Sequence, residues 1–173
     1  PNTPTALIAE DESLLAEALK AELATLWPAL RIAASVGDGA SAVTQALDLQ
    51  PDVLFFDIRM PALSGIEAAA ALADAWVTEG PGAKPFPALV FVTAYDQYAV
   101  AAFEAQAMDY LLKPVQTERL QKTVAKLQSA LANRTQPAAN FEATLGQLRA
   151  LLGGTPAPAA MKAAVVEILK VPA

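Results

Sequence analysis

The chain has 173 residues, with 12 Lys and Arg against 18 Asp and Glu, and it contains no His and no Cys. Without Cys there is no disulfide framework, thiolate nucleophile or Cys-type zinc site, and without His there is no imidazole base, Ser-His-Asp triad or His metal ligand. Chemistry here is left to carboxylates, Lys, hydroxyls, backbone groups or a hard cation, and the formal charge of −6 argues against a nucleic-acid surface on these residues.

Residues 5 to about 133 alternate between strand-like and helix-like segments. Thr5–Ala9 is a short apolar run that ends in Glu10-Asp11-Glu12. Ser13 is placed to cap the next segment, where Leu15, Leu19, Leu23 and Leu26 recur at helical spacing up to Trp27-Pro28. Arg31–Val36 is a second strand, and Gly37-Asp38-Gly39 turns the chain into a helix over Ser41–Leu49. Val53–Phe56 is a nearly continuous apolar run ending at Asp57, as expected of a parallel strand covered on both faces. A loop from Arg59 to Gly65 leads to an Ala-rich helix over Ile66–Val77, and Glu79–Pro87 is a long Gly/Pro-rich connection. Ala88–Val92 is the fourth strand, ending at Thr93-Ala94. A helix over Asp96–Ala105, a fifth strand over Met108–Leu112 and a closing helix over Glu118–Leu131 complete the series. Repeated β-α units predict an α/β fold with a doubly wound parallel sheet and helices on both faces. The site is then expected at the carboxyl ends of the strands.

Residues 134–173 read differently, with Pro137, Gly153, Gly154, Pro156, Pro158 and Pro172 punctuating two short amphipathic pieces. Leu120, Val124, Leu127 and Leu131 follow heptad-like spacing, and Phe141, Leu145, Leu148 and Leu152 resume it in register. Two readings stay open: the first set packs on the sheet, or a C-terminal helical extension pairs subunits. The start, Pro1-Asn2-Thr3-Pro4, lacks the basic and apolar regions of a signal peptide, and no stretch approaches the length of a membrane span. A cytoplasmic location is expected, with no membrane partner.

The fold reading brings Glu10, Asp11 and Glu12, Asp57, Thr93 and Lys113 to one edge of the sheet. Taken singly, each has a plainer role: an acid after a strand caps the next helix, Thr93 is a turn residue, and Lys113 is solvated. Together they form a compatible set. Clustered carboxylates repel unless a cation sits among them, and hard oxygen ligands suit Mg²⁺. A carboxylate can attack phosphorus and form an aspartyl-phosphate, whose oxygens Mg²⁺, a hydroxyl and a Lys can hold.

Leu7-Ile8-Ala9-Glu10-Asp11-Glu12, Asp57-Ile58-Arg59-Met60-Pro61 with Gly65, Phe91-Val92-Thr93-Ala94 and Tyr110-Leu111-Leu112-Lys113-Pro114 resemble the receiver domain of two-component response regulators. The resemblance covers residues 5–133 and implies a flavodoxin-like (CheY-like) five-stranded sheet of order 2-1-3-4-5. It implies that Asp57 is the phosphoacceptor. By the same resemblance, Asp11 and Asp57 would bind Mg²⁺ directly, Arg59 through its backbone carbonyl, and Glu10 through water. Thr93 and Lys113 contact the phosphoryl oxygens, and Tyr110 is the aromatic switch that follows Thr93. The stretch Thr93 to Val100 and the run Asp109 to Val115 with Arg119-Leu120 further resemble the LytR/AlgR-type subfamily, whose members carry a C-terminal DNA-binding domain. Residues 134–173 are too few for that domain, so DNA is expected only through an output domain outside this chain.

The resemblance thus implies a phosphorelay phosphoprotein rather than an enzyme, regulating transcription. The expected donor is the phosphohistidine of a sensor histidine kinase or a small phosphodonor, and the surface of helix 4, strand 5 and helix 5 is expected to form an active homodimer. With no His, the chain cannot be its own donor. Alternatives are an Mg²⁺-dependent hydrolase with an aspartyl-phosphate intermediate, a flavodoxin-like cofactor binder and a stand-alone interaction module. The first usually carries its nucleophile after strand 1, and the second wants a Ser/Thr/Gly-rich phosphate loop where Glu10-Asp11-Glu12 stands. The third is disfavoured by the complete acid set.

Overall fold

In the computed structural model, residues 3–134 are described. Five strands and five helices alternate: β1 (Thr5–Ala9), α1 (Ser13–Leu26), β2 (Arg31–Val36), α2 (Gly39–Leu49), β3 (Val53–Phe56), α3 (Gly65–Ala75), β4 (Ala88–Thr93), α4 (Ala99–Glu104), β5 (Asp109–Leu112) and α5 (Thr117–Ala132). All neighbouring strands pair in parallel, in the order β2-β1-β3-β4-β5. That is the expected α/β architecture and strand order.

The period of two along each strand divides the core between the two faces. Leu7, Leu54, Phe56, Leu89 and Phe91 point to one side and pack with Ala42, Ala46, Ile66, Ala69, Leu72 and Ala102 of α2, α3 and α4. Ile8, Val53, Phe55, Val90 and Val92 point to the other and pack with Leu19 and Leu23 of α1 and Leu120, Val124 and Leu127 of α5. Every residue of β3 is buried, which explains its unbroken apolar run. Leu120, Val124 and Leu127 are spent on the sheet face, so the packing reading holds for the described part of the heptad pattern. Phe141, Leu145, Leu148 and Leu152, with the helical extension expected over 134–173, lie outside the described residues beyond Arg134.

Helix boundaries differ where side-chain chemistry decides them. Glu12, not Ser13, holds the N-cap position of α1, and its side chain makes no capping bond. Helix α2 starts two residues before the expected Ser41, because Asp38 is its cap and accepts from the Ser41 N–H at 2.7 Å. Helix α3 is opened by a capping box: Ser64 Oγ accepts from the Glu67 N–H at 3.1 Å, and Glu67 Oε1 accepts from the Ser64 N–H at 2.9 Å. It ends at Ala75 rather than Val77, since Trp76 turns extended and buries its ring. The Trp76 indole donates to the Lys84 carbonyl at 2.8 Å and packs edge-on against Phe86, which fastens the long connection to β4. The expected fourth helix begins as a 3₁₀ turn over Asp96–Tyr98 before α4. Among the described residues, no helix is long and apolar enough to cross a membrane.

Candidate functional site

The carboxyl ends of β1, β3, β4 and β5 meet at one edge, where the chain crosses from the β2 side of β1 to the β3 side. Strand β1 delivers Glu10 and Asp11, β3 delivers Asp57, β4 ends on Thr93, and Lys113 follows β5 directly. Glu10 (8% exposed), Asp57 (7%) and Thr93 (0%) are buried polar groups in an otherwise apolar layer. Buried charges require partners, and these have one. Lys113 Nζ lies 2.5 Å from Glu10 Oε1 and 3.0 Å from Asp57 Oδ2. The lysine that taken singly reads as solvated is the counter-ion of the site.

Burial pushes the Glu10 carboxyl up to about 7, against the Lys113 ammonium and the Glu12 N–H, while the Asp57 charge adds to the rise. Burial disfavours the Lys113 ammonium, but its hydrogen bonds to Glu10 and Asp57 outweigh that and hold its pKa above the ordinary lysine value. Glu10 Oε2 also accepts from the Glu12 N–H at 3.2 Å, which keeps the carboxylate turned back into the site.

One carboxylate oxygen from each of Glu10, Asp11 and Asp57 lies within 4.8 Å of the others. Glu10 and Asp57 are buried and Asp11 faces solvent. Three hard oxygen donors, one open to water, fit a divalent cation that keeps part of its hydration, which is the preference of Mg²⁺.

Glycine brings the neighbouring loops onto this edge. A Cβ on Gly65 would stand 2.1 Å from the Asp57 carbonyl oxygen, so only glycine lets the start of α3 sit against the Asp57 peptide. The Gly65 N–H donates to the Ile58 carbonyl at 2.7 Å and fixes the loop carrying Arg59.

Tyr110 lies on β5, half-buried, with its hydroxyl donated to the Tyr95 carbonyl. Burial pushes its phenol up to about 12. The structure thus brings Glu10, Asp11, Asp57 and Lys113 together, sets Thr93 at the end of the adjacent strand, and places Tyr110 on the strand beyond.

Two features escape sequence reading. The Arg59 guanidinium lies over the Tyr95 ring, 4.6 Å from its centroid. Asp109, 3% exposed, accepts from Arg119 Nη1 at 2.9 Å and from Thr123 Oγ1 at 2.6 Å, tying β5 to α5. The only sequence signal for the second is an acid opening an apolar strand.

Residues 6–125 match the response regulator receiver domain family. An uncharacterized response regulatory protein of Vibrio cholerae is 44% identical over 149 residues, covering 86% of this chain and 54% of that protein. The transcriptional regulatory protein BtsR of Escherichia coli K12 is 40% identical over 121 residues, covering 70% of this chain and 46% of BtsR. Among solved structures, the response regulatory domain of mrkE from Klebsiella pneumoniae superposes with a TM-score of 0.66 at 31% identity, over 75% of this chain and 98% of that one. The REC domain of AraT, a response regulator from Geobacillus stearothermophilus, gives 0.67 at 29% identity, over 78% and 99%. The chain spans about half the length of the curated relatives it matches. It belongs to the response regulator receiver family.

Proposed function

We propose that this receiver-family chain accepts a phosphoryl group on Asp57 from a sensor kinase and passes the event to the face of α4, β5 and α5. The observation that carries the proposal is the convergence of Glu10, Asp11, Asp57 and Lys113 on one half-buried edge, with an ammonium bridging two of the acids.

An Asp57 carboxylate oxygen attacks the phosphorus of a phosphohistidine. The new O–P bond forms as the N–P bond breaks, and the electron pair leaves with the donor's imidazole nitrogen. Asp11 and Asp57, with the Arg59 backbone carbonyl, would hold Mg²⁺ directly, and Glu10 would hold it through water. The ion supplies neutralising charge between the acids and the incoming oxygens. Lys113 stands within reach of the same oxygens, since its Nζ already touches Asp57. The Thr93 hydroxyl turns toward the phosphoryl group, and Tyr110 then fills the space it leaves. Phosphorylation adds about −1.5 to −2 charges at the end of a parallel sheet, a local event that biases a two-state element.

Val100 and Leu112 are exposed apolar residues on α4 and β5, which suits that surface to pairing with a second copy. The receiver unit is assigned to residues 5–133, and 134–173 to a linker or dimerisation extension. The LytR/AlgR-type motifs and the similarity to BtsR support a transcriptional role in the cytoplasm through a DNA-binding output domain beyond this chain.

Incubation with acetyl phosphate and Mg²⁺, followed by mass spectrometry, tests the reading. One phosphoryl adduct on Asp57, absent in Asp57→Asn, is expected. An adduct that persists in that variant would sink it, and sustained turnover of a phosphoester would favour the hydrolase.

A further inference from the structure

Three parts of the site meet at Tyr95. Its N–H points to Thr93 Oγ1 at 3.4 Å. Its carbonyl accepts the Tyr110 hydroxyl. Its ring lies against the Arg59 guanidinium, 4.6 Å from the centroid, and packs edge-on with Tyr98 at 6.4 Å. Arg59 stands two residues beyond Asp57, and Tyr95 two residues beyond Thr93. One side chain therefore joins the loop after the phosphoacceptor to the loop after the hydroxyl, and its own backbone holds the aromatic on β5.

We propose that the Arg59–Tyr95 contact is a latch: it holds the β4–α4 loop, and through it Tyr110, in the resting arrangement, and an anion seated on Asp57 releases it by drawing the guanidinium off the ring. The inference rests on the receiver reading and deepens it.

The physical argument is a competition for one cation. Both Arg59 and Tyr95 are exposed, so the contact between them is a weak cation–π pair. Charge-assisted hydrogen bonds to phosphoryl oxygens are stronger than such a pair. The same event loosens the backbone side of the latch. Thr93 Oγ1 is the acceptor nearest the Tyr95 N–H, at a distance already long for a hydrogen bond, and a Thr93 hydroxyl that turns to the anion abandons it. With the ring and the N–H both released, the Tyr95 carbonyl that anchors Tyr110 is free to move. Among the described residues Tyr95 has no hydrogen bond to Asp57, and it is a positioning residue, not a catalytic one.

The test uses the full chain with Mg²⁺ and beryllofluoride as the phosphoryl analogue. Tyr95→Leu keeps apolar bulk but removes the π face, and calorimetry should show beryllofluoride binding about 2- to 5-fold tighter, the range a partly exposed cation–π pair supplies. Tyr95→Phe, which keeps the face but loses the hydroxyl that also pairs with the Arg59 guanidinium, should bind more like the unaltered chain than Tyr95→Leu does. In the Arg59→Met background, Tyr95→Leu should change the affinity no further. With 3-fluorotyrosine incorporated, the Tyr110 resonance of ligand-free Arg59→Met should move toward its position in the beryllofluoride-bound unaltered chain. A merely structural Arg59 would leave that resonance in place. Binding that disappears in Asp57→Ala but is indifferent to Tyr95→Leu overturns the latch alone. Binding that persists in Asp57→Ala overturns the receiver reading, and the latch with it.

Discussion

Lys113 is the residue whose removal most directly exposes the electrostatics of this site. Its Nζ lies 2.5 Å from Glu10 and 3.0 Å from Asp57, and the three side chains are 14%, 6% and 8% exposed. At an effective dielectric of about 20, each contact is worth roughly 5–7 kcal/mol of gross Coulomb energy, most of it offset by the desolvation of the groups involved. Lys113→Met keeps the aliphatic length and deletes the charge. Breaking a buried pair in this way costs about 3–5 kcal/mol, because the remaining charge is left uncompensated. The loss has a ceiling. Glu10, whose carboxyl burial already pushes up to about 7, can take up a proton near neutral pH at little further cost. We therefore expect Lys113→Met to lose less than that, about 1–3 kcal/mol of stability in chelator, read by urea unfolding with far-UV circular dichroism. Mg²⁺ should then restore more stability to the variant than it adds to the unaltered chain. It would bring a cation to the two acids that Lys113 bridges, with Asp11 beside them, and a ligand at about 100 times its Kd stabilises the folded state by about 2.7 kcal/mol. Equal stability of the two proteins in chelator would refute the counter-ion role. An equal Mg²⁺ increment in both would refute the shared site.

Asp57→Asn should abolish phosphodonor-induced association measured by light scattering, and unchanged association would exclude the proposed α4–β5–α5 switch. Gly65→Ala should destabilise by about 1–3 kcal/mol despite a gain in helix propensity of up to about 1 kcal/mol, because the new Cβ would stand 2.1 Å from the Asp57 carbonyl oxygen; a melting temperature at or above that of the unaltered chain would contradict the close approach. Burial opposes the Asp109 carboxylate, yet hydrogen bonds from Arg119, Thr123 and the Tyr110 N–H hold its folded pKa below the ordinary aspartate value. Its contribution is therefore fully present above about pH 4 and is lost as pH falls through the depressed folded value. Asp109→Asn should cost about 1–3 kcal/mol at neutral pH, and the gap to the unaltered chain should close in acid unfolding below about pH 4; a gap constant with pH would deny the ionised pair.

The fold was legible because its two periods are clean. The four residues of β3 are buried on both faces, so an unbroken apolar run announced a central parallel strand. The residues after β1, β3, β4 and β5 then fall at one edge on the sequence alone, since a parallel sheet aligns its carboxyl ends. Helix ends were less legible, because caps are set by single hydrogen bonds. Asp38 accepting from the Ser41 N–H, and Glu12 standing where Ser13 has the better capping chemistry, are choices that hydrophobic spacing does not encode.

What spacing could not supply is which polar groups are spent on one another. Lys113 is drawn inward because the buried acids Glu10 and Asp57 need a counter-ion, and that depends on how three strands twist against each other rather than on any local pattern. Asp109 follows the same rule on the far side of β5, where Arg119 and Thr123 from α5 meet it. The Arg59–Tyr95 contact is a further step removed, since it joins two loops whose shapes are set by the Gly65 approach to Asp57 and by the 3₁₀ turn that opens α4. A receiver's chemistry can thus be read from the residues at its strand ends. On the latch proposed above, its resting balance would depend on contacts between loops, where the sequence carries no periodic signal. In this chain the sequence motif names Asp57, Thr93 and Tyr110, whereas the packing singles out Tyr95 as the residue that connects them.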